Sequence, residues 1–345
     1  MVATSNLWPH TWYPLRRSKE VAPGAVIPVR AFGDDWILCR SPSGALAFLD
    51  GHCTHRGASL GHGGAFVGEC VQCPFHGFQY NLQGKCVRIP DNDRVPKAAV
   101  LRSYPLAETL GMIWVFRGPE PTFPPPSLEN VGAVKEVGYL GDLDVAYAFR
   151  NTRRCLMRDS ICGSLDYQHG NLVHELRSRL ETLEEPTPHE LIVTLDVEYT
   201  SAGTFGYRKI FGLGERVKYR GHYWGPAVVY TRSFGRRQLM GHIRCCLPIE
   251  ENLTQTDMLF VVRKRKLTGR PPLLGLAIRK FFGRIQDDED AFLDRQRPRA
   301  MYMKNFDEGM IAHHRMCMRM GQTDFEGREP TWDMNDEGEL VKVRV

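Results

Sequence analysis

Two short segments that each contain a cysteine and a histidine constrain this chain most strongly. Cys53 and His55 are separated by one residue, Cys73 and His76 by two, and seventeen residues lie between His55 and Cys73. Each segment supplies one thiolate and one imidazole. This mixture is typical of a [2Fe–2S] cluster in which two Cys bind one iron and two His bind the other. Because neutral imidazoles replace two thiolates, negative charge is removed and the reduction potential rises.

Two other interpretations of these segments are open. A tetrahedral zinc ion is also held by two Cys and two His in many proteins. The usual zinc spacing keeps the two Cys together and the two His together, whereas each segment here is mixed. Chance occurrence is the other interpretation, since the chain has ten cysteines. The ligand spacing favours the iron–sulfur cluster over both.

Length and composition indicate an ordinary globular chain with about two domains. The chain has 345 residues, of which 42% are hydrophobic and 25% charged. The N-terminal residues lack the apolar core and cleavage site of a signal peptide, and no run approaches the ~20 apolar residues of a membrane span. Unpaired cysteines then fit a reducing compartment, so we expect a cytoplasmic protein. A net charge of +5 is mild, and nucleic-acid binding does not follow from it.

The chain is predicted to have an all-β N-terminal domain, a stiff linker and a second domain. Short strands separated by turn residues are predicted throughout residues 8–117. Residues 118–128 contain five prolines, which fix φ and remove backbone donors. The second domain is expected to occupy residues 129–345.

The second domain is predicted to combine an antiparallel sheet with helices. It opens with a strand, followed by a helical stretch over residues 150–176. Apolar residues at period two predict a strand over residues 191–199, and further strands with intervening turns continue to residue 266. An apolar stripe then predicts a helix over residues 271–296. The chain as a whole is therefore expected to be an α+β protein.

Asp166, His169 and His174 predict a second metal site. A mononuclear iron is often held by two His and one carboxylate, with the opposite positions open for O₂ and substrate. Asp166 and His169 share one face of a helix, but His169 and His174 are about 140° apart on a regular helix. Both reach one metal only if the helix is broken near Gly170 and Asn171, which are poor helix formers. The alternative is two unrelated histidines on a surface helix.

The cysteine–histidine segments, followed about a hundred residues later by D-x-x-H-x4-H, resemble the oxygenase (alpha) component of the Rieske non-haem iron oxygenases. The resemblance extends over essentially the whole chain. Respiratory and photosynthetic Rieske proteins carry an additional disulfide between the segments, but Ala58 and Phe75 are among the residues found here instead. The segments are therefore similar to the low-potential branch. The region around His169 is most similar to the group that includes aminopyrrolnitrin oxygenase, the prodiginine cyclases and 3-ketosteroid 9α-hydroxylase.

The resemblance implies a fold, cofactors and partners. It implies a helix-grip-like catalytic domain, a Rieske [2Fe–2S] cluster and a mononuclear Fe(II) bound by His169 and His174. It implies that Asp166 links this iron to the cluster of a neighbouring subunit in a homotrimer. Electrons are expected from a separate ferredoxin or NAD(P)H-dependent reductase, since no nicotinamide or flavin motif is visible. One departure is that the Asn common shortly before the Asp is absent.

The third iron ligand is expected late in the chain. Asp288 stands four residues before Phe292, as in the family's late acidic segment, and shares a helical face with it. Asp287 is the second choice. An acidic helix N-terminus stabilised by the helix dipole is the alternative.

The expected function is that of a terminal oxygenase. Electrons pass through the cluster to the mononuclear iron, where an apolar or aromatic organic substrate is oxidised, most simply by monohydroxylation. Desaturation, oxidative cyclisation and N-oxygenation are possible outcomes on the same scaffold. A more remote alternative is an electron carrier, which needs no second metal.

Overall fold

The computed structural model describes residues 8–132, 143–173, 176–199, 215–234, 241–263, 292, 306–323, 332–334 and 340–342. The chain divides into two compact units, Trp12–Pro125 and Met1–Thr11 with Pro126–Val345. The division at Pro125 falls inside the proline-rich segment 118–128. The first strand, β1 (Trp8–Pro9), belongs to the second unit. Within the described residues, no helix is long and apolar enough to cross a membrane.

The N-terminal unit is built from three small antiparallel sheets, which confirms the predicted all-β domain. The sheet orders are β10-β11-β2, β3-β4-β5 and β6-β7-β8-β9. A 3₁₀ turn at Ser18–Glu20 follows the first of its strands. The strands are β2 (Trp12–Arg17), β3 (Val26–Ala31), β4 (Asp34–Arg40), β5 (Leu46–Asp50), β6 (Ala65–Val67), β7 (Cys70–Gln72), β8 (Gln79–Tyr80), β9 (Cys86–Arg88), β10 (Leu106–Thr109) and β11 (Met112–Phe116).

The core of this unit includes the two cysteines of the sequence motif. Alternating strand residues such as Ile37, Leu49 and Val71 point inward and are fully buried. Cys53 and Cys73 belong to the same buried cluster. Burial of this apolar surface therefore holds the two thiol-bearing loops in place.

The second unit is a seven-stranded antiparallel sheet with short helices. The sheet order is β12-β18-β17-β16-β15-β14-β13, so six consecutive strands form a meander and β12 pairs with the last of them. The strands are β12 (Leu143–Arg153), β13 (Leu176–Glu184), β14 (Glu190–Tyr199), β15 (Arg216–Trp224), β16 (Val228–Phe234), β17 (Gly241–Glu250) and β18 (Leu253–Arg263).

Helices and two minor strand pairs complete the described part of this unit. The helices are α1 (Met157–Ile161), α2 (Tyr167–Val173) and α3 (Glu308–Arg319), with a 3₁₀ turn at Cys162–Ser164. The minor pairs join β1 to β19 (Gln322–Thr323) and β20 (Trp332–Met334) to β21 (Leu340–Lys342). The predicted α+β class, with an antiparallel sheet plus helices, is confirmed.

The helical stretch predicted over residues 150–176 is shorter and more broken than expected. Its first residues belong to β12, where Arg150 pairs with Asp257 and Arg153 with Thr254 of β18. Its last residue, Leu176, begins β13. Long-range pairing with β18 overrides the local helical preference at the start of this stretch.

Strand β13 is not predicted by alternation, because most of its side chains are exposed or half-buried at the edge of the sheet. Its partner β14 is a strand as predicted, and the residues at period two, such as Leu191, Val193 and Val197, are almost fully buried. Ile192 and Asp196 on the other face are largely buried too. Residues 200–214, which fall in the stretch where further strands are predicted, and most of the predicted helix at residues 271–296 lie outside the described residues.

The segment from Cys162 to Val173 is held between an edge strand and a helix. Ser178 of β13 donates its backbone N–H to Asn171 Oδ1 of α2 at 2.7 Å. A Cβ atom at Gly170 would lie 3.3 Å from Ser178 Oγ, so only a small residue lets α2 approach β13 this closely. On the other side, a Cβ at Gly309 of α3 would lie 2.7 Å from the carbonyl oxygen of Leu165. Two glycines thus permit the tight packing that positions this segment.

Candidate metal centres

The two cysteine–histidine segments fold into loops with the same backbone hydrogen bonds. In the first loop, Cys53 N–H donates to the carbonyl of Ala58 at 2.9 Å, and Gly57 N–H donates back to the carbonyl of Cys53 at 2.9 Å. In the second loop, Cys73 N–H donates to Phe78 at 2.8 Å, and Gly77 N–H donates back to Cys73 at 3.1 Å. The loops connect β5 to β6 and β7 to β8. The two segments have similar cysteine–histidine motifs because both adopt the same hydrogen-bonded backbone turn.

A glycine with positive φ closes each turn. Gly57 has φ of 69° and Gly77 has φ of 71°, a region that disfavours residues with a Cβ. The two positions differ in their surroundings. A Cβ at Gly57 would meet nothing within 4 Å, whereas a Cβ at Gly77 would lie 2.8 Å from Pro90 Cγ.

The two loops place the thiols inside and the imidazoles at the surface. Cys53 is 4% exposed and Cys73 is 1% exposed. His55 and His76 are exposed, and their ring centroids lie 4.7 Å apart. The ring of His55 stacks on Phe78 at 4.8 Å with an interplanar angle of 2°, which fixes its orientation. This geometry fits a two-iron cluster with a buried thiolate end and an imidazole end that faces outward.

Tyr80 makes a hydrogen-bond network with the first loop that sequence reasoning missed. Its hydroxyl lies 3.1 Å from Cys53 Sγ and 2.8 Å from Thr54 Oγ1, and it accepts a hydrogen bond from the Thr54 backbone N–H at 3.2 Å. Tyr80 is fully buried, and burial raises the pKa of its phenol, which stays protonated. The sequence feature that could have identified Tyr80 is its position, four residues after His76 and in the strand that follows the loop.

The Cys53 thiol is protonated near neutral pH unless a metal binds it. Burial raises the pKa of the Cys53 thiol, and neighbouring Cys73 raises it further, while the Tyr80 hydroxyl acts in the opposite direction. Metal ligation requires the thiolate and therefore releases protons on binding. The donor set of two convergent thiols and two convergent imidazoles fits the [2Fe–2S] cluster.

Asp166 and His169 are brought together at the start of α2. His169 Nδ1 makes a short hydrogen bond to the carbonyl oxygen of Asp166 and lies 3.6 Å from its carboxylate Oδ2. Burial acts to raise the pKa of Asp166, but the hydrogen bond and charge of His169 outweigh it and the pKa is lowered. With Nδ1 directed at Asp166 as a donor, Nε2 is the nitrogen that carries the lone pair for a metal.

The other predicted ligands of the mononuclear site cannot be placed beside His169. His174, Asp287 and Asp288 lie outside the described residues, whereas Phe292 is described and exposed. In the part of the chain that the structure describes, no three His, Cys, Asp or Glu side chains gather around one ion. A [2Fe–2S] cluster does not require such a group of three, because each of its two irons binds only two protein side chains.

Other histidines and cysteines of the second unit have packing roles. His313 is fully buried, lies 3.0 Å from the Pro226 carbonyl oxygen through Nε2, and has its pKa lowered by burial to about 4. Cys245 and Cys246 are neighbours on β17, and their thiols donate to Asp257 and Ser160 respectively. Adjacent strand residues face opposite sides of a sheet, so these cysteines do not share a metal.

Comparison with known families settles the nature of the N-terminal unit. Residues 11–105 match the family described as the Rieske [2Fe-2S] domain. The N-terminal unit is a Rieske [2Fe–2S] domain. The match covers both loops and the strands that carry them.

Curated relatives extend the similarity beyond the Rieske domain. The chain is 30% identical over 189 residues to the cholesterol 7-desaturase of Bombyx mori, a segment that covers 54% of this chain and 40% of the relative. It is 36% identical over 131 residues to the probable 3-ketosteroid-9-alpha-monooxygenase, oxygenase component, of Rhodococcus rhodochrous, covering 38% of this chain and 32% of the relative. The matched segments thus span less than half the length of these relatives.

Solved structures show the same fold along most of the chain. A crystal structure of dicamba monooxygenase bound to dicamba matches with a TM-score of 0.66 at 17% identity, covering 90% of this chain and 97% of that chain. A Rieske domain followed by a large antiparallel sheet is therefore a fold that this chain shares with dicamba monooxygenase, and the predicted fold class is confirmed. The relatives named above include an oxygenase component, in line with the resemblance seen in the motifs.

The glycines of the two Rieske loops should differ in their tolerance of alanine. Gly57→Ala should lower the free energy of unfolding by about 1–2 kcal/mol, because it forces a Cβ into a positive φ. Gly77→Ala should cost more, since its Cβ also clashes with the rigid Pro90 ring. Thermal unfolding and the visible absorption of the cluster measure both. Equal losses in the two variants would show that Pro90 moves aside.

Removing the Tyr80 hydroxyl should lower the reduction potential of the cluster. A donor beside the Cys53 sulfur stabilises the additional negative charge of the reduced state. Tyr80→Phe should shift the potential down by roughly 20–60 mV, where about 59 mV is a tenfold change for one electron. Protein-film voltammetry measures the shift, and Tyr104→Phe in the same unit is the control. An unchanged potential in Tyr80→Phe would show that the hydroxyl serves only Thr54.

Proposed function

We propose that this chain is the oxygenase component of a Rieske non-haem iron oxygenase. It takes single electrons from a separate ferredoxin or NAD(P)H-dependent reductase and oxidises an apolar or aromatic organic molecule, most simply by monohydroxylation. The observation that carries the proposal is the presence, in one chain with a Rieske domain, of a helix whose His169 is oriented by Asp166. A pure electron carrier needs no such second site.

The proposed cluster ligands are Cys53 and Cys73 on one iron and His55 and His76 on the other. The buried thiols keep water from the sulfur end, and the exposed imidazoles give electrons a route through the surface. Phe75, beside His76 and 62% exposed, offers an apolar contact next to that route.

The proposed mononuclear site uses His169, His174 and Asp288, with Asp287 as the second choice for the carboxylate. When bound, the cluster supplies single electrons and the Fe(II) supplies activation of O₂. Asn171 and Ser178 hold the helix that carries His169 against β13, so the imidazole keeps its position. Asp166 fixes the tautomer of His169 by accepting its Nδ1 proton.

Asp166 is also proposed to connect the two centres between subunits of a homotrimer. Its carboxylate is 44% exposed while it lies beside His169, so it has lone pairs available for a histidine on another subunit. This hydrogen bond would give electrons a short route from one subunit to the next.

We also propose that the protein is cytoplasmic, as expected from the sequence.

Desaturation is a second candidate outcome, because one relative is named as a cholesterol 7-desaturase. The same residues serve hydroxylation, desaturation, cyclisation and N-oxygenation. Which bond reacts is set by where the substrate is held.

Iron content and substrate-dependent O₂ uptake test the proposed function. The intact protein should hold ~3 Fe per chain, whereas an electron carrier should hold ~2. Asp288→Ala should fall to ~2 Fe while the visible cluster spectrum stays unchanged. Full iron retention in this variant would assign the carboxylate to Asp287. A native protein with ~2 Fe and no substrate-dependent O₂ uptake would exclude the oxygenase.

Asp166→Ala should separate electron transfer from metal binding. Both metals should stay bound, because the backbone carbonyl of residue 166 still accepts the hydrogen bond from His169 Nδ1. Turnover should fall on the order of a hundredfold, because the carboxylate that forms the proposed route between subunits is gone. Steady-state O₂ uptake and single-turnover reduction measure the loss. Asp196→Ala is the control, since this carboxylate pairs with Arg216 on the sheet. Normal turnover by metal-replete Asp166→Ala protein would rule out the proposed role.

A further inference from the structure

Two tyrosines of the second unit are joined through their hydroxyl groups. Tyr199 at the end of β14 and Tyr219 in β15 make a short hydroxyl–hydroxyl hydrogen bond. They are called here the tyrosine pair. Their hydroxyls meet because the two rings lean toward each other along adjacent strands.

The tyrosine pair lies on the face of the sheet that α2 covers. Tyr199 is the register partner of Leu176 on β13, and directly opposed residues of antiparallel strands point to the same face. A Cβ at Gly170 of α2 would lie 3.8 Å from Leu176 Cδ1 and 3.3 Å from Ser178 Oγ, so α2 packs on this face. The tyrosine pair therefore shares a face with the helix that carries His169.

The tyrosine pair is only partly covered, whereas the residues between the two tyrosines are buried. Val197 and Val217 are register partners that lie between the two tyrosines on the same face, and they are only 3% and 2% exposed. Tyr199 and Tyr219 themselves keep intermediate exposure. Burial of the Tyr219 hydroxyl raises its pKa, so this group stays protonated. Part of each tyrosine side chain therefore remains accessible above the buried valines.

Charged side chains of these two strands occupy the opposite face. Asp196 pairs with Arg216, and Lys218 pairs with Glu181 at 2.8 Å. Within β14 and β15, the described residues on the face of the tyrosine pair are Leu191, Val193, Leu195, Val197, Tyr199, Val217, Tyr219, Gly221 and Tyr223, none of them charged. Just before β15, Glu215 stands opposite Tyr199 and adds a carboxylate next to this face. An anion here would find no cationic partner on this face of the two strands, which makes its desolvation costly.

We propose that the tyrosine pair binds a neutral oxygen of the substrate, either a carbonyl or a hydroxyl, and that the substrate is an otherwise apolar molecule without an anionic group. This rests on the proposed function, whose substrate class it narrows. A phenol is both donor and acceptor, with one hydrogen and two lone pairs, and the bond to Tyr199 uses one of these at Tyr219. The Tyr219 hydroxyl thus retains capacity for a ligand oxygen, while the valines contact apolar carbon.

Matched ligands that differ only in their polar group test the proposal. One set is tetralin, 2-tetralone, 2-tetralol and tetralin-2-carboxylate, and a larger set is androstane with its 3-ketone, 3-alcohol and 3-carboxylate. Equilibrium dialysis against the iron-replete protein gives dissociation constants that do not depend on turnover. The ketone or alcohol should bind more tightly than the hydrocarbon and the carboxylate in at least one set.

Phenylalanine variants connect this preference to the tyrosine pair. Tyr219→Phe and Tyr199→Phe should each reduce the ratio of ketone to hydrocarbon affinity about three- to tenfold, the value of one neutral hydrogen bond. The double variant should lose little more than either single variant, because the two hydroxyls act as one group. Tyr223→Phe is the matched control on the same strand and face, since its hydroxyl donates to the Ile161 carbonyl at 3.4 Å. Its ratio should be unchanged.

Three outcomes would overturn the proposal. These are an unchanged ratio in the double variant, a preference for the carboxylate, and no binding of any member of either set. A double variant that melts earlier but keeps the ratio would assign the pair to stability alone. Failure of the proposed function is seen separately, as ligand binding with the predicted preference but without substrate-dependent O₂ uptake.

Discussion

The N-terminal unit depends on two loops that repeat one backbone turn. In each loop the cysteine N–H donates five residues ahead and its carbonyl accepts from a glycine four residues ahead. These bonds hold both thiols in the core and leave both imidazoles at the surface, although the histidines stand at different distances from their cysteines. The asymmetry of a cluster with a protected sulfur end and an outward imidazole end is therefore already present in the polypeptide.

The second unit separates its chemistry by the two faces of one sheet. The face toward α2 carries apolar residues and the tyrosine pair, while the ion pairs of β14 and β15 lie on the other. Because successive side chains of a strand point to opposite faces of the sheet, the same two strands provide both the apolar face and the charged face. The helix of His169 is attached to the same sheet through Asn171 and Ser178, so His169 and the tyrosine pair share one support.

Much of this organisation is readable from the sequence because it depends on local pattern. The cysteine–histidine spacing predicts the cluster, and the alternation around Leu191 predicts β14. Long-range effects are not readable: β12 extends to Arg153 only because β18 pairs with it, and β13 is an exposed edge without clear alternation. Tyr80 and Tyr219 were missed for the same reason, since their partners Cys53 and Tyr199 are identified only by strand register and hydrogen bonds.

The strand order has a consequence for how the protein matures. Strands β13 to β18 each pair with the next strand along the chain and can assemble as they leave the ribosome. β12 is synthesised before them, but it can pair only when β18, more than a hundred residues later in the chain, has been made. The helices with Asp166 and His169 directly follow β12, so they stay unclamped on that side until the sheet closes. The surroundings of Asp166 and His169 are then completed only after most of the chain has been made.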